Sequence, residues 1–161
     1  MSLLFSSADG HQCLQLSTEA VMVIRDQALR KHPLETGGIL VGYYSANPRL
    51  ATVVLVTPPP PDSKHGPTHF ERGVHGLKQL LVEVKRQTPS LHYLGEWHTH
   101  PAHEARASGP DIRQMNRFAL WRQYGVKNPL LLIIGGVPPD KLEARASVHR
   151  AWHKPMYLEL L

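Results

Sequence analysis

The chain has 161 residues, of which 42% are hydrophobic and 19% charged, so its composition supports one buried core and excludes a disordered chain. The net charge is +5 and the pI about 9.6, but lysines and arginines are spread along the chain without a dense basic run. We therefore predict a single domain over residues 1–161 that binds no nucleic acid, and the charge favours an acidic protein partner.

Cysteine content and apolar runs exclude further classes of protein. Cys13 is the only cysteine, which excludes an internal disulfide and a thiolate metal cluster. A metal site would have to use carboxylates and some of the 11 histidines. No apolar run approaches the roughly 20 residues of a membrane span, and the N-terminus lacks the basic and apolar segments of a signal peptide. We expect a cytoplasmic protein that does not bind a membrane.

Helical periodicity and β-rich runs alternate along the chain. In chain order the predicted elements are a helix over Thr18–Lys31, a hairpin of two β-rich runs at 37–44 and 51–56 with its turn at 45–48, a loop over 58–67, a helix over Val74–Gln87, a strand over Leu91–His100, a helix from Ser108 to Tyr124, a buried strand over Pro129–Gly135, a strand over Ala144–Trp152 and an edge strand over Met156–Leu161. Hairpin-length and crossover-length connections both occur. This mixture predicts an α/β (α+β) fold with a single mixed β-sheet flanked by helices.

Two histidines in the predicted strand that ends at Pro101 suggest metal binding. His98 and His100 are two positions apart, so both imidazoles leave the same face of the strand. Their nitrogens could reach one zinc ion at about 2.0–2.1 Å without bending the backbone. Trp97 and Thr99 point to the opposite face, into packing. The pair by itself is also compatible with a strand that binds no metal.

Ser108 and Asp111 have two possible roles. Their spacing is that of a helix capping box, with Asp in place of the usual Glu, and this role would explain both residues. Alternatively, Asp111 is a third metal ligand. Three protein ligands leave a fourth position for water, which is the arrangement of catalytic zinc sites.

Hydrolysis at such a site also requires a general base. Glu35, Glu96 and Glu104 are the candidates. Glu96 shares the strand face of His98, and Glu104 lies in a loop. Glu35 stands before two glycines and a strand, where a loop carboxylate could enter the site of a neighbouring strand. The residues alone leave this choice open.

The spacing from His98 to Asp111 resembles the JAMM motif, His-x-His-x7-Ser-x2-Asp, at every position. This motif belongs to the JAB/MPN/JAMM zinc metallopeptidase family. The segment from Glu35 to Gly42 is similar to the glutamate segment of the family, and the order of elements is similar over nearly the whole chain. The resemblance implies an MPN/JAMM fold, which is cytidine-deaminase-like.

The resemblance also implies an enzyme and a role for each matching residue. His98, His100 and Asp111 would bind Zn²⁺, with water as the fourth ligand. Glu35 would act as the general base, and Ser108 would donate a hydrogen bond to the oxyanion. The activity implied is hydrolysis of an amide or isopeptide bond.

Within the family, the segment Tyr93–Pro101 most resembles compact bacterial JAB proteins. These are encoded beside ubiquitin-activating-like and ubiquitin-conjugating-like enzymes, including those of antiphage CD-NTase operons. The resemblance implies a deconjugating isopeptidase of antiviral defence that cleaves after the C-terminus of a ubiquitin-like protein or a CD-NTase.

Three other functions are compatible with parts of this pattern. A non-catalytic MPN scaffold would have lost ligands, whereas all are present here. RadC-like proteins have Asn between the two histidines and an extra N-terminal domain, whereas this chain has Thr99 there. A peptidase that acts on a ubiquitin-like sulfur carrier would use the same residues and stays open.

Several other residues are interpreted as structural. We predict that His103 is loop surface and that Trp121 belongs to the core. Phe70 and Arg72 could belong to an edge that faces the substrate, but we predict a packing contact for Phe70 and a solvated charge for Arg72.

Overall fold

The structure, a computed structural model, describes residues 2–45, 49–121 and 124–161. These ranges contain ten strands and three helices. The strands are β1 (Leu3–Ser6), β2 (Gln12–Leu16), β3 (Gly37–Ser45), β4 (Arg49–Val56), β5 (Lys64–His65), β6 (Phe70–Glu71), β7 (His92–Pro101), β8 (Leu130–Val137), β9 (Lys141–Val148) and β10 (Met156–Leu160). The helices are α1 (Thr18–Lys31), α2 (Leu77–Gln87) and α3 (Gly109–Leu120).

Helix α1 has the predicted bounds, because strong local signals mark both of its ends. The Ser17 side chain accepts a hydrogen bond from the Ala20 N–H at 3.1 Å, which satisfies a donor of the first turn. Pro33 follows the helix and cannot continue it. Ala20 and Ile24 are buried in the largest apolar cluster, so α1 closes one side of the core.

Eight strands form a closed barrel, which corrects the expectation of a single sheet flanked by helices. The order around the barrel is β1-β10-β9-β8-β7-β3-β4-β2, and β1 pairs with both β10 and β2. The pairs β2–β4 and β7–β8 are parallel and the others antiparallel, so the mixed direction is confirmed. Strands β1 and β2 close the barrel, and with four and five residues they are too short to give a clear periodicity.

The segment after the hairpin contains more structure than predicted. Strands β3 and β4 pair antiparallel, as expected of the hairpin, and residues 46–48 of its predicted turn lie outside the described residues. The predicted loop at 58–67 is interrupted by β5, which pairs antiparallel with β6. We call residues 64–72, which contain this ribbon, the strap.

Helix α2 begins at Leu77, so the predicted start at Val74 is wrong. The cause is a hydrogen-bonded turn before the helix. The Asp62 carboxylate accepts the N–H groups of Val74 and His75 at 3.0 Å each, which holds both residues outside the helix. Asp62 therefore acts as a distant cap that the local sequence does not reveal.

Two predictions around Trp121 are wrong. Helix α3 ends at Leu120, before Tyr124, and Trp121 adopts extended backbone angles. Its side chain is 47% exposed and stacks on the Tyr124 ring, with the centroids 6.0 Å apart.

The strand that the sequence predicts over Ala144–Trp152 lies at Lys141–Val148 in the structure, so its predicted bounds are wrong. None of the described helices combines the length and the apolar character that a membrane crossing requires.

Strand β7 separates the interior of the barrel from its outer face. Trp97 is fully buried in the interior cluster, as predicted. In the parallel pairing with β8, Glu96 lies beside Leu131 and His98 beside Ile133. Leu131 and Ile133 pack against the buried residues of α3 on the outer face. The alternation of a strand therefore places Glu96, His98 and His100 on the outer face, beneath α3.

Candidate metal centre

The two histidines of β7 converge as the sequence predicts. Both residues are buried, and their Nε2 atoms lie 3.1 Å apart. The Nε2 lone pairs of two neutral imidazoles repel each other at this separation unless a proton or a cation lies between them. The pair is therefore arranged to share a positive ligand.

Helix α3 brings a carboxylate to the same point. Asp111 Oδ1 lies 3.1 Å from His98 Nε2, and Asp111 Oδ2 lies 3.3 Å from His100 Nε2. Asp111 stands in the first turn of α3, where Ser108 caps the helix and Pro110 begins it. The capping interpretation and the ligand interpretation are thus compatible, because the cap fixes the position of the carboxylate.

The separations in this cluster fit a zinc ion. In a tetrahedral site with zinc–nitrogen distances of 2.0–2.1 Å, neighbouring ligand atoms are about 3.3 Å apart. The three residues offer one ligand atom each within 4.8 Å of one another, and the contacts between them range from 3.1 to 3.3 Å. Two imidazoles and one carboxylate are also a donor set that zinc accepts.

The charges within the cluster stabilise an ionised Asp111. Burial raises the pKa of Asp111, but hydrogen bonds with His100, His98 and Ser108 outweigh it and hold this pKa well below its usual range. Burial lowers the pKa of His100, but the hydrogen bond with Asp111 outweighs it and raises this pKa. Asp111 therefore supplies a negative charge for a cation.

Glu35 is held next to the cluster by the pairing of β3 with β7. Gly37 lies opposite His98, and the main chains of Thr36 and Thr99 continue the pairing through a hydrogen bond of 2.8 Å. The same register places Glu35 opposite His100, on the outer face. Two further hydrogen bonds of 2.8 Å tie its main chain to His65 and Gly66 of the strap.

The Glu35 side chain has the environment of a general base. The residue is only 6% exposed, and its carboxylate makes no hydrogen bond with the described part of the chain. Burial raises its pKa, while the nearby His100 and His98 lower it in part. A carboxyl group with a raised pKa is a better proton acceptor near neutral pH.

Ser108 lies at the entrance and is exposed. Its hydroxyl donates to Asp111 Oδ2 at 2.6 Å, and its main-chain N–H donates to the same oxygen at 2.6 Å. The hydroxyl must rotate away from Asp111 to donate to a substrate. The main-chain bond would keep the helix start in place during that rotation.

The other two candidate bases do not share this geometry. Glu96 accepts hydrogen bonds from Arg72 Nε at 2.6 Å and from the Tyr93 hydroxyl at 2.7 Å. Arg72 is buried, with 4% of its side chain exposed, so the prediction of a solvated charge is wrong. Glu96 raises the pKa of Arg72 against the effect of burial. Glu104 is exposed, as is His103, which agrees with the loop-surface prediction for His103.

Phe70 belongs to the site surroundings, which the sequence indicated only weakly. It borders a small cavity of about 10 Å³ that His98 and Asp111 also line. The aromatic residue follows a proline-rich loop, and no periodicity marks its two-residue strand. The available signal in the sequence was Gly37. Because glycine has no side chain, it leaves room for the Phe70 ring.

Comparison with known proteins assigns the family. A sequence model of prokaryotic homologues of the JAB domain matches residues 17–152. The chain belongs to this family. It is 36% identical over 154 residues to a protein of Enterobacter hormaechei subsp. hoffmannii named CD-NTase/cGAS isopeptidase, covering 96% of this chain and 84% of that protein. A protein of the same name from Pseudomonas aeruginosa is 32% identical, covering 63% of each chain.

A solved structure supports the fold of this JAB protein. The solution structure of a protein from Desulfitobacterium hafniense aligns with a TM-score of 0.56 at 23% identity, covering 84% of this chain and 83% of that one. The family and the named relatives confirm the expectation of a JAMM-type peptidase with isopeptidase activity. They disfavour the non-catalytic scaffold, in agreement with the complete set of site residues.

Proposed function

We propose that this JAB protein is a zinc-dependent isopeptidase that hydrolyses the amide bond after the C-terminus of a conjugated CD-NTase, reversing the conjugation in antiviral defence. One observation supports the zinc-dependent mechanism. Three ligand atoms from His98, His100 and Asp111 meet at tetrahedral separations beside Glu35, a buried residue whose carboxylate makes no hydrogen bond with the described residues. A purely structural metal site would have no need of such a carboxylate.

In the proposed mechanism His98, His100 and Asp111 hold the zinc ion. When bound, zinc supplies a Lewis acid that polarises the scissile carbonyl and acidifies water. Glu35 takes a proton from the attacking water and delivers it to the leaving nitrogen, which breaks the amide bond. The Ser108 hydroxyl rotates from Asp111 to the carbonyl oxygen and donates a hydrogen bond as negative charge develops there.

The substrate class rests on the relatives and on charge. Both named relatives carry CD-NTase/cGAS in their names, and one of them matches nearly the whole of this chain. The net charge of +5 favours encounter with an acidic partner face. A ubiquitin-like protein offers a similar flexible C-terminal tail, so it is the alternative substrate that the assay must include.

Metal content tests the first part of the proposal. The purified protein, freed of tag-derived metal, should bind about one zinc per chain when zinc is added. Asp111→Ala should lose most of this affinity, whereas the exposed Glu104→Gln is the matched control and should keep it. Elemental analysis that finds no bound transition metal in the wild-type protein would refute zinc dependence.

Cleavage of defined conjugates tests the second part. The substrates are fusions or lysine conjugates at the C-terminus of a CD-NTase or of a ubiquitin-like protein, assayed with and without a chelator. Mass spectrometry should find the new end at the junction with the CD-NTase tail, and the chelator should abolish cleavage. Cleavage of the ubiquitin-like substrate alone would reassign the partner. Digestion of casein at many internal sites would show a general metallopeptidase instead.

A further inference from the structure

A larger cavity lies towards the end of the barrel that is remote from the candidate metal centre. Its volume is about 380 Å³, and the first residues of β2, β4 and β10 and the last residue of β9 line it. That last residue, Val148, pairs with Leu130 at the start of β8. His100 pairs with Gly135, five positions further along β8, which is roughly 16 Å at about 3.3 Å per residue. The cavity is therefore separate from the metal centre.

The side chains that line this cavity supply positive charge only. Among the described residues that line it none is acidic, and four are basic: Arg49, Arg150, His153 and Lys154. We call it the basic cavity. Arg49, Arg150 and Lys154 form no ion pair with a described residue. Three fixed positive charges around one concavity repel one another and attract an anion.

Arg49 is held in place by uncharged partners. Its guanidinium carbon lies 4.7 Å from the centroid of the Tyr44 ring. Its Nη1 donates a hydrogen bond of 3.2 Å to the side-chain oxygen of Asn128, with that amide oriented to satisfy its neighbours. A guanidinium has five N–H donors, so these contacts leave donors for a ligand. Because neither partner carries a negative charge, Arg49 is oriented in advance and its charge is not neutralised.

The other three basic residues belong to the short connection between β9 and β10. The Arg150 carbonyl accepts the His153 N–H at 3.1 Å, and the Ala151 carbonyl accepts a hydrogen bond of 2.8 Å from His153 Nδ1. Nδ1 therefore carries a hydrogen, and Nε2 has no hydrogen-bond partner among the described residues. These two bonds close the connection on itself, so it presents residues 150, 153 and 154 together to one cavity.

Phosphate is the anion that suits this set of side chains. Guanidinium and ammonium groups form charge-assisted hydrogen bonds with phosphate oxygens, and a guanidinium can bind two of them at once. Cavities that bind small molecules have volumes from about 300 to 1,000 Å³, so a cavity of about 380 Å³ has room for more than the phosphate itself. Val148 and Met156 give it an apolar side for an uncharged part of the ligand.

A small ligand fits this arrangement better than a polymer does. Nucleic acids are bound by basic groups that follow the backbone along a surface. Here the basic groups converge on one concavity, and the lysines and arginines of the whole chain are spread without a dense run. The charge is therefore concentrated where one phosphate group can meet several cations.

We propose that the basic cavity binds a phosphate monoester of about the size of a mononucleotide, with Arg49, Arg150 and Lys154 holding the phosphate. The site is distinct from the metal centre and does not depend on the proposed isopeptidase function. The bound phosphate joins the β9–β10 connection to the start of β4, so the ligand should also raise the temperature of unfolding.

Calorimetric titration tests the proposal with two esters, AMP and ribose 5-phosphate, and with inorganic phosphate and adenosine as fragments of AMP. The wild-type protein should bind AMP at least about tenfold more tightly than inorganic phosphate and at least about 100-fold more tightly than adenosine. Asp111→Ala, titrated in parallel with a chelator present, should bind AMP with the wild-type affinity. Loss of AMP binding in Asp111→Ala would place the phosphate on the metal centre and overturn the proposal.

Variants of the cavity locate the ligand. Arg150→Gln/Lys154→Gln removes two exposed cations and should weaken AMP binding by about 100-fold. Arg49→Gln should weaken it by about tenfold or more. Lys78→Gln/Lys85→Gln removes two exposed cations from α2 and is the matched control for net charge, so its affinity for AMP should stay within about twofold of wild type. Thermal unfolding without ligand checks that each variant is folded.

Several results would overturn the proposal. One is that neither ester binds the wild-type protein at millimolar concentration, and another is that Arg150→Gln/Lys154→Gln binds AMP as tightly as the control does. Equal affinity for inorganic phosphate and AMP would remove the organic part of the ligand. A single-stranded decanucleotide or an acidic peptide that binds at this cavity far more tightly than either ester would assign the surface to a macromolecule instead.

Discussion

Two glutamates lie on the outer face near the same pair of histidines, and their surroundings are opposite. Glu96 is buried and its carboxylate is paired with Arg72 and Tyr93. Glu35 is also 6% exposed as a residue, but its carboxylate is less deeply buried than that of Glu96 and has no hydrogen-bond partner among the described residues. Burial of an unpaired carboxylate costs free energy, and burial of a paired one costs much less.

We propose that this difference separates a structural carboxylate, Glu96, from a catalytic one, Glu35. The Arg72–Glu96 pair holds the strap against β7, and each carboxylate oxygen of Glu96 already accepts a hydrogen bond, one from Arg72 and one from Tyr93. No described residue donates a hydrogen bond to the carboxylate oxygens of Glu35, because only its main chain is bonded to the strap. The protein thus pairs one buried carboxylate completely and keeps the other available within the same region.

The largest effect should follow from removing the free carboxylate. Glu35→Gln keeps the size and the main-chain hydrogen bonds of the residue, but it cannot take a proton. We expect kcat to fall by about 10²–10⁴-fold, with zinc content and thermal unfolding close to those of the wild-type protein. Steady-state kinetics with a defined conjugate measure this. Near-normal turnover would contradict the comparison and remove Glu35 from the mechanism.

Removing the counter-ion of the paired carboxylate Glu96 should instead lower the stability of the fold. Arg72→Met leaves Glu96 buried without its counter-ion, and we expect unfolding free energy to fall by about 3–5 kcal/mol. The double variant Arg72→Met/Glu96→Gln removes both charges and should recover much of this loss. Urea unfolding of the single and double variants measures the difference. Equal stability of the single and the double variant would mean that the Arg72–Glu96 ion pair does not stabilise the attachment of the strap to β7.

Ser108→Ala should have a smaller effect on the reaction than Glu35→Gln. The loss of one oxyanion donor typically lowers kcat by about 10²–10³-fold. The variant also loses a side-chain helix cap, which should cost about 1 kcal/mol of stability. Ser108→Thr keeps a hydroxyl and is the matched control. A normal kcat in the Ala variant, at unchanged KM, would remove Ser108 from the mechanism.

The last prediction concerns a buried histidine that is not a member of the cluster. Burial lowers the pKa of His149 to about 4, and its Nε2 lies 2.9 Å from the Ser147 hydroxyl. Because an unfolded histidine has a pKa near 6.5, the unfolded chain binds more protons between pH 6.5 and 4. The stability contributed by neutral His149 is therefore complete above pH 6.5 and is lost as the pH falls towards 4.

This loss should amount to about 3 kcal/mol at most. In His149→Gln, unfolding free energies between pH 7 and 4 should decrease less steeply than in the wild-type protein. The exposed His153→Gln should keep the wild-type slope. Parallel slopes for His149→Gln and the wild-type protein would show that His149 is not buried in its neutral form.

The sequence by itself determined the features that depend on short spacing. Helix α1 was predicted with its bounds, because its cap and its terminating proline are local signals. The convergence of His98 and His100 follows from the two-residue period of a strand, and the position of Asp111 follows from the capping box. The family followed from the fixed spacing of these residues.

Only the tertiary structure decided what depends on distant segments. The barrel closes through β1, whose pairing with the C-terminal β10 leaves no pattern in either short strand. The family resemblance implied Glu35 as the base, but only the structure shows that Arg72 reaches the carboxylate of Glu96. Arg72 lies 24 residues from Glu96, and Gly37 lies opposite His98 through strand pairing, so neither contact has a local signature. Whether a charged side chain is buried and whether it has a partner both depend on tertiary packing. Packing brings together residues that are far apart in the sequence.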